Sequence, residues 1–240
     1  DLNEMSRVVG KAYVIKTMDD FIEVSKRYVD HILRAYTGKA LFSSKIVFVG
    51  KATLLSHPQI YVCDIDGRNL KQLTYGNYLH MSPSFGPDGQ ILYTSYEKGK
   101  PDLYMKNFYE DNKAILVANN QNLNSGGVFS PDAKYVVYSG SQGKSTDLFA
   151  INQQTLQKSM LTVNSSMNVD PRFSPDGAWL AFASGRYGNP HIFRAKVNMK
   201  SKKKDLEIGD PQRLTYVGWY NTTPAWSPSS KKIAFSILAS

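Results

Sequence analysis

The residues of this chain that could do chemistry are few, and their spacing is the first thing to weigh. Asp88, Asp132 and Asp176 recur at 44-residue intervals, each directly after a proline. Carboxylates repeated in register could suggest calcium, which gathers roughly six to eight oxygen ligands. Each of these three is alone in its repeat, so they read as turn residues. The four histidines, His31, His57, His80 and His191, are scattered, with no pair at metal-ligand spacing. A serine nucleophile would call for a Gly-x-Ser-x-Gly elbow; Gly140-Ser141-Gln142-Gly143 has the wrong spacing. Cys63 is the only cysteine, which excludes an internal disulfide and a cysteine-built zinc site. In the run Ile60-Tyr61-Val62-Cys63 it reads as a buried structural thiol. There is no glycine-rich phosphate loop. The expectation is a protein without catalytic residue, cofactor or metal.

What positions these residues is a repeat. Phe85-Gly86-Pro87-Asp88-Gly89, Phe129-Ser130-Pro131-Asp132-Ala133, Phe173-Ser174-Pro175-Asp176-Gly177 and Trp226-Ser227-Pro228-Ser229-Ser230 are four copies of one motif, their prolines 44, 44 and 53 residues apart. Pro is preset for the second position of a tight turn, Asp or Ser bonds locally to backbone, and Gly tolerates positive φ. Each motif therefore reads as strand, turn, strand. Five residues past the proline stand Leu92, Val136, Leu180 and Ile233; seven past it stand Thr94, Tyr138, Phe182 and Phe235. Two-residue alternation puts each pair on one sheet face. A third strand begins near Asp102, Asp147 or His191, where His191 occupies the slot of the aspartates as a structural polar contact. A fourth ends at Leu73-Thr74, Leu161-Thr162 or Leu214-Thr215. Pro83, Pro171 and Pro224, with Gly127 in the remaining copy, place the strand before the motif at a sheet edge, because proline cannot donate to a ladder.

A period in the forties built from strand text predicts a β-propeller, one four-stranded blade per repeat. The expected fold is mainly β. About four blades' worth of chain spans residues 41–240, and the C-terminal part of a small α/β domain precedes it in residues 1–40. Within that first segment Phe21, Val24, Tyr28, Ile32 and Ala35 recur at helical spacing and predict a helix over about 18–36, capped by Thr17 or Asp19 and ended by Gly38. Val8 to Ile15 reads as one or two strands. The chain starts without methionine and its last repeat stops after two strands, so it reads as a piece of a longer protein with an incomplete propeller.

Composition agrees. Of the 240 residues 42% are hydrophobic and 12% aromatic, enough for a core. No apolar run reaches membrane-spanning length. The net charge of +9 is partly local: Lys196, Lys200, Lys202, Lys203 and Lys204 crowd the stretch 196–204, which accounts for the longer last repeat. It reads as a solvated hairpin tip rather than a nucleic-acid site, with no RNA-binding aromatic signature beside it.

The helix, the linker Thr37-Gly38-Lys39-Ala40, the strand Ser44-Lys45-Ile46-Val47-Phe48-Val49, the segment Tyr61-Val62-Cys63-Asp64-Ile65-Asp66-Gly67, the repeats and Gln212-Arg213-Leu214-Thr215 together resemble the TolB family of periplasmic propeller proteins. Ser229-Ser230 departs from the family's Asp-Gly. The resemblance implies a six-bladed propeller behind an α/β domain, and a non-enzymatic scaffold of the Tol–Pal cell-envelope system in the periplasm, peripheral to the outer membrane. It implies Pal, the peptidoglycan-associated lipoprotein, as partner, with roles in outer-membrane integrity, cell division and protein transport. TolA binds an N-terminal extension of the family that lies outside this chain, so TolA binding is not carried over. A second reading is the accessory propeller of a prolyl-oligopeptidase-like serine peptidase; a third is a small-ligand or sugar-binding propeller.

Propellers bind through loops at one mouth. The loops Tyr75–Met81, Ala118–Gly126, Val163–Val169 and Tyr216–Thr223, with Ser95–Lys100, Ser139–Ser145 and Ser184–Asn189, should share one face. They carry Tyr78, His80, Met81, Lys98, Asn122, Met167, Arg186, Tyr187, Trp219 and Tyr220 as candidate partner-binding residues; His80 is placed in a loop beside Tyr78 and Met81. Aromatic, Met and Arg side chains on loops are the kind enriched at interfaces.

Overall fold

The computed structural model describes residues 14–38, 40–110, 113–163, 166–198 and 206–238. The chain divides into two compact units, one holding residues up to Phe48 with Tyr61–Gln72, the other Val49–Ile60 with Leu73 onward.

In the first unit, α1 (Met18–Thr37) begins at a capping box: Thr17 Oγ1 accepts from the Asp20 N–H at 3.1 Å, and the Asp20 carboxylate accepts from the Thr17 N–H at 3.0 Å. Thr17, not Asp19, is the cap. Gly38 closes the helix at φ 71°, its N–H donating to Arg34 O. The apolar stripe does not form a core among the described residues: Phe21, Tyr28 and Ile32 are exposed, and the buried residue of the helix is Asp30. Burial opposes ionisation of Asp30. The Ser43 hydroxyl and the N–H groups of Leu41, Phe42 and Ser43 more than offset it and hold the carboxyl at about 2. A carboxylate with so many donors ties the linker to the helix. Of the strands expected over Val8 to Ile15, Val14 and Ile15 carry no regular structure, and the remainder lies outside the described residues.

The sheets follow the repeat. The first is β1 (Lys45–Gly50), β2 (Gln59–Asp64) and β3 (Lys71–Gln72) in that order. The second runs β4 (His80–Phe85), β5 (Gln90–Ser95), β6 (Asp102–Asn107), β7 (Ile115–Ala118); the third β8 (Asn124–Phe129), β9 (Tyr135–Gln142), β10 (Ser145–Asn152), β11 (Lys158–Met160). The fourth holds β12 (Asn168–Phe173), β13 (Trp179–Ser184) and β14 (His191–Asn198), with β15 (Glu207–Ile208) and β16 (Gln212–Arg213) both paired to β14. The fifth is β17 (Tyr220–Trp226) and β18 (Ile233–Leu238). In the second unit β4, β8, β12 and β17 lie side by side as successive innermost strands, so the sheets stack as propeller blades. Each is an edge strand, as proline requires in β4, β12 and β17, and each is bulged where the residue before the proline (or Gly127) turns to positive φ: Ser82, Gly126, Asp170 and Thr223.

The second strand of each middle blade is buried on both faces, because a blade sits between two neighbours. Val136 and Tyr138 face a cluster with Leu92, Leu103 and Ala118 of the preceding blade; Val137 joins Leu180, Phe182 and Phe193 of the following one. One register expectation is corrected. The turn of the second blade is a residue shorter: Gly86 N–H bonds Gln90 O, whereas Ser130 bonds Tyr135 O and Ser174 bonds Trp179 O. Ile91 and Tyr93, not Leu92 and Thr94, are therefore the counterparts of Val136 and Tyr138. The stacked cross-strand pairs Tyr93–Tyr104, Tyr138–Phe149 and Phe182–Phe193 show the restored alignment. In the Lys-rich stretch, Lys196 lies within β14, which continues to pair with β15, and Leu206 is buried in the core; residues 199–205 lie outside the described residues.

Candidate partner-binding surface

A polar clasp repeats where one blade meets the next, and the mouth loops are rooted in it. In the third blade, Thr162 Oγ1 donates to Asp147 Oδ1 at 2.8 Å while accepting the Leu148 N–H at 2.9 Å. Asn168, the first residue of the next blade, donates to the same Asp147 oxygen at 3.2 Å. Its own Oδ1 accepts from Ser184 Oγ at 2.8 Å. The same three slots hold His191, Thr215 and Asn221 one joint later. There Asn221 Nδ2 lies 3.1 Å from His191 Nδ1, and since the amide can only donate, that ring nitrogen accepts. Burial, then the Arg213 charge, lowers the His191 pKa, so the imidazole is held neutral and fit for this role. In the second blade Asp102 takes Lys100 Nζ at 2.5 Å and Asn124 Nδ2 at 3.3 Å, with Ala118 in the threonine slot.

Apart from Lys100 these residues are buried, and such a network at low dielectric is stiff where its members are paired; Asn221 differs from Asn168 in that its Oδ1 has no partner among the described residues. The backbone adds to it: the N–H groups of His80, Asn124 and Asn221 donate to the carbonyls of Pro58, Pro101 and Pro190. The threonine ends a fourth strand, the asparagine starts the next blade, and the aspartate follows the loop between second and third strands. One clasp thus pins both loop sets, which emerge together; Met167 of one set bridges Thr146 at the base of the other.

The joint formed by Gln59, Thr74 and His80 differs. Gln59 Oε1 accepts from Thr74, and its amide nitrogen donates to Gly76 O and Tyr78 O. His80 occupies the asparagine slot with 3% of its surface exposed and neither ring nitrogen bonded. Its ring meets Tyr78 and Tyr93 edge-on, and burial lowers its pKa to about 4.

The candidate residues thus fall into three groups. Lys98, Asn122, Tyr187, Trp219 and Tyr220 are exposed; Tyr78, Met81, Met167 and Arg186 are half-buried. His80 is buried and, with Met81, opens strand β4 instead of lying in the loop. Arg186 and Tyr187 come together over Phe193, the guanidinium 4.7 Å and the tyrosine ring 6.0 Å from its centroid. Beside them is Arg213, quoted above only within Gln212-Arg213-Leu214-Thr215 and not among the candidates, in contact with the rings of Tyr187 and Tyr216. Elsewhere on the loops a cleft of about 510 Å³ is lined by Asn120, Gln121, Ser141, Gly143, Phe149 and Lys158. The asparagines Asn124, Asn168 and Asn221 were also missed, although each stands three residues before the bulge proline or glycine. Among the described residues no cluster of histidine, cysteine or carboxylate could hold a metal ion.

Comparison with known proteins agrees with this architecture. The TolB beta propeller domain family, PD40, matches residues 34–239. A TolB homolog of Chlorobium luteolum is 30% identical over 178 residues, covering 73% of this chain and 39% of that protein. The Tol-Pal system protein TolB of Anaeromyxobacter dehalogenans is 33% identical over 156 residues, covering 63% of this chain and 35% of that protein. The chain therefore spans under two fifths of the length of these curated relatives. The crystal structure of TolB from Acinetobacter baumannii superposes with a TM-score of 0.78 at 25% identity, covering 100% of this chain and 58% of that one. With the repeat, the blade stacking and a family match over most of its length in agreement, this chain belongs to the TolB beta propeller domain family.

Proposed function

We propose that this chain is the propeller part of a non-enzymatic Tol–Pal protein that docks Pal on its mouth loops in the periplasm. Residues 1–40 are the end of a preceding α/β domain and 41–240 the propeller. The observation that carries the reading is the hydrogen-bonded clasp of His191, Thr215 and Asn221 beneath loops bearing exposed Tyr187, Trp219 and Tyr220, in a chain whose relatives are named TolB. Docking needs preorganised loops and aromatic anchors, and no reacting group. No helix among the described residues is long and apolar enough to cross a membrane, compatible with a peripheral place in the envelope. Contribution to outer-membrane integrity and to constriction would follow from holding Pal.

The test is calorimetric titration of the full-length protein with the periplasmic domain of Pal from the same organism. Saturable one-to-one binding, weakened by Tyr187→Ala or Trp219→Ala without change in the melt, is the expected result. No binding by a cooperatively melting protein would overturn the reading and return weight to the accessory propeller of a peptidase.

A further inference from the structure

The fourth blade carries an arrangement that the second and third blades lack. The Arg213 guanidinium carbon lies 5.7 Å from the Tyr187 ring centroid and 4.9 Å from that of Tyr216. Its Nε donates to Thr215 O at 2.7 Å, and the Tyr216 hydroxyl donates back to Arg213 O at 3.2 Å. Both nitrogens at the outer edge of the fork are left without a protein partner among the described residues. Arg186 stands alongside, its Nε on Ser184 Oγ at 3.0 Å and one outer nitrogen near Asn168 Oδ1. Neither arginine has an ion pair among the described residues. Tyr187 and Tyr216 are 69% and 72% exposed. At the Arg213 register the second and third blades carry Leu116 and Met160, and the first carries Gln72.

We propose that Arg213, held between Tyr187 and Tyr216 with Arg186 beside it, is the subsite that takes an exposed carboxylate of an acidic segment on the protein partner. This rests on the docking role proposed above and names the chemistry of its anchor. The argument is one of charge and preorganisation. A guanidinium with its Nε already fixed presents the outer N–H pair in the geometry a carboxylate accepts bidentately. Cation–π contacts with the two rings restrain the fork, so less side-chain freedom is lost on binding. The chain as a whole carries a net charge of +9, which favours an acidic partner. The rings supply apolar contact for the stem of the incoming Asp or Glu.

The experiment titrates the full-length protein, as wild type, Arg213→Ala and Arg213→Lys, with the Pal periplasmic domain at low and moderate salt. A second titration uses poly-L-glutamate as a bare carboxylate probe. The expected result is at least a tenfold weaker affinity for Arg213→Ala and partial recovery with lysine. Salt should weaken the wild type more than the alanine variant, with equal melting temperatures throughout. Wild-type affinity in Arg213→Ala would overturn the subsite and leave the Pal reading standing. If the wild type binds no Pal, that reading fails. Arg213-dependent binding of poly-L-glutamate would then still uphold the acidic subsite, and its absence would overturn it.

Discussion

Two joints between blades have the same backbone and different side chains. At Asp147, Thr162 and Asn168 a carboxylate collects a hydroxyl and an amide from two strands, so the adjoining blade is hydrogen-bonded to its neighbour through side chains. At Gln59, Thr74 and His80 the acceptor is neutral, its amide is spent on loop carbonyls, and the imidazole in the third slot bonds to nothing. Both joints bury the trio. The difference teaches that the propeller frame comes from strand register and apolar blade faces, while the polar trio sets how firmly each joint is locked.

The largest effect should come from cutting the locked joint. Asp147→Ala leaves the Thr162 hydroxyl buried without its acceptor and leaves the Asn168 amide only its longer contacts to Thr146 O and Ser166 O, a loss of about 2–4 kcal/mol. Gln59→Ala strands fewer groups, because the loop carbonyls it serves lie close to solvent, and should cost about 1–2 kcal/mol. Guanidinium denaturation of both variants measures the contrast, provided the slope against denaturant is unchanged. Equal losses would mean that the trio does not distinguish the joints.

The frame was far more legible in the sequence than the clasp. Proline-anchored turns and two-residue alternation expose blades directly, since they depend on local backbone chemistry. The single-residue slip in the second blade was hidden, because Pro87-Asp88-Gly89 looks like its sisters and only the Gly86–Gln90 hydrogen bond reveals the shorter turn. The clasp joins residues about 15 to 25 positions apart on different strands, a spacing no periodicity window captures. Its trace was nonetheless present, in His191 standing where the sisters have Asp102 and Asp147. His80 looked like a loop residue because its neighbours are aromatic and polar; it belongs to β4 because it pairs with Ser95 ahead of the bulge at Ser82. Arg213 showed only as part of Gln212-Arg213-Leu214-Thr215 and not as a binding residue, since its site is made with rings from two loops.

The second effect is a pH dependence confined to one joint. His80 is buried neutral, its pKa lowered by burial from 6.5 to about 4. The folded state therefore favours the unprotonated ring. The stability this represents is fully present above pH 6.5 and is lost as pH falls towards 4, because the unfolded chain takes up the proton first. The limit is about 3 kcal/mol for a shift of this size. Asn168 in the corresponding slot does not titrate. Denaturation midpoints of wild type and His80→Asn at pH 7 and pH 4.5 isolate the effect: the wild type should lose about 2–3 kcal/mol more than the variant over that interval. Parallel losses would show that His80 reaches water or an acceptor when the protein is in solution.

The smallest effect is the most discriminating, because it asks whether the locked joint can be transplanted. His80→Asn alone forfeits the edge contacts with Tyr78 and Tyr93 and supplies an amide facing Gln59. Gln59→Asp alone gives up the bonds to Gly76 O and Tyr78 O and sets a carboxylate near those carbonyls. Each single change should be destabilising by about 1 kcal/mol. Together they rebuild the Asp–Thr–Asn trio around Thr74, whose hydroxyl already bonds the Ile60 N–H as Thr162 bonds that of Leu148. The double variant should thus be more stable than the sum of the singles by about 1 kcal/mol, read as the coupling in a double-mutant cycle. A coupling of zero would locate the difference between the joints in the surrounding strands, since the same three side chains would then fail to make the same clasp.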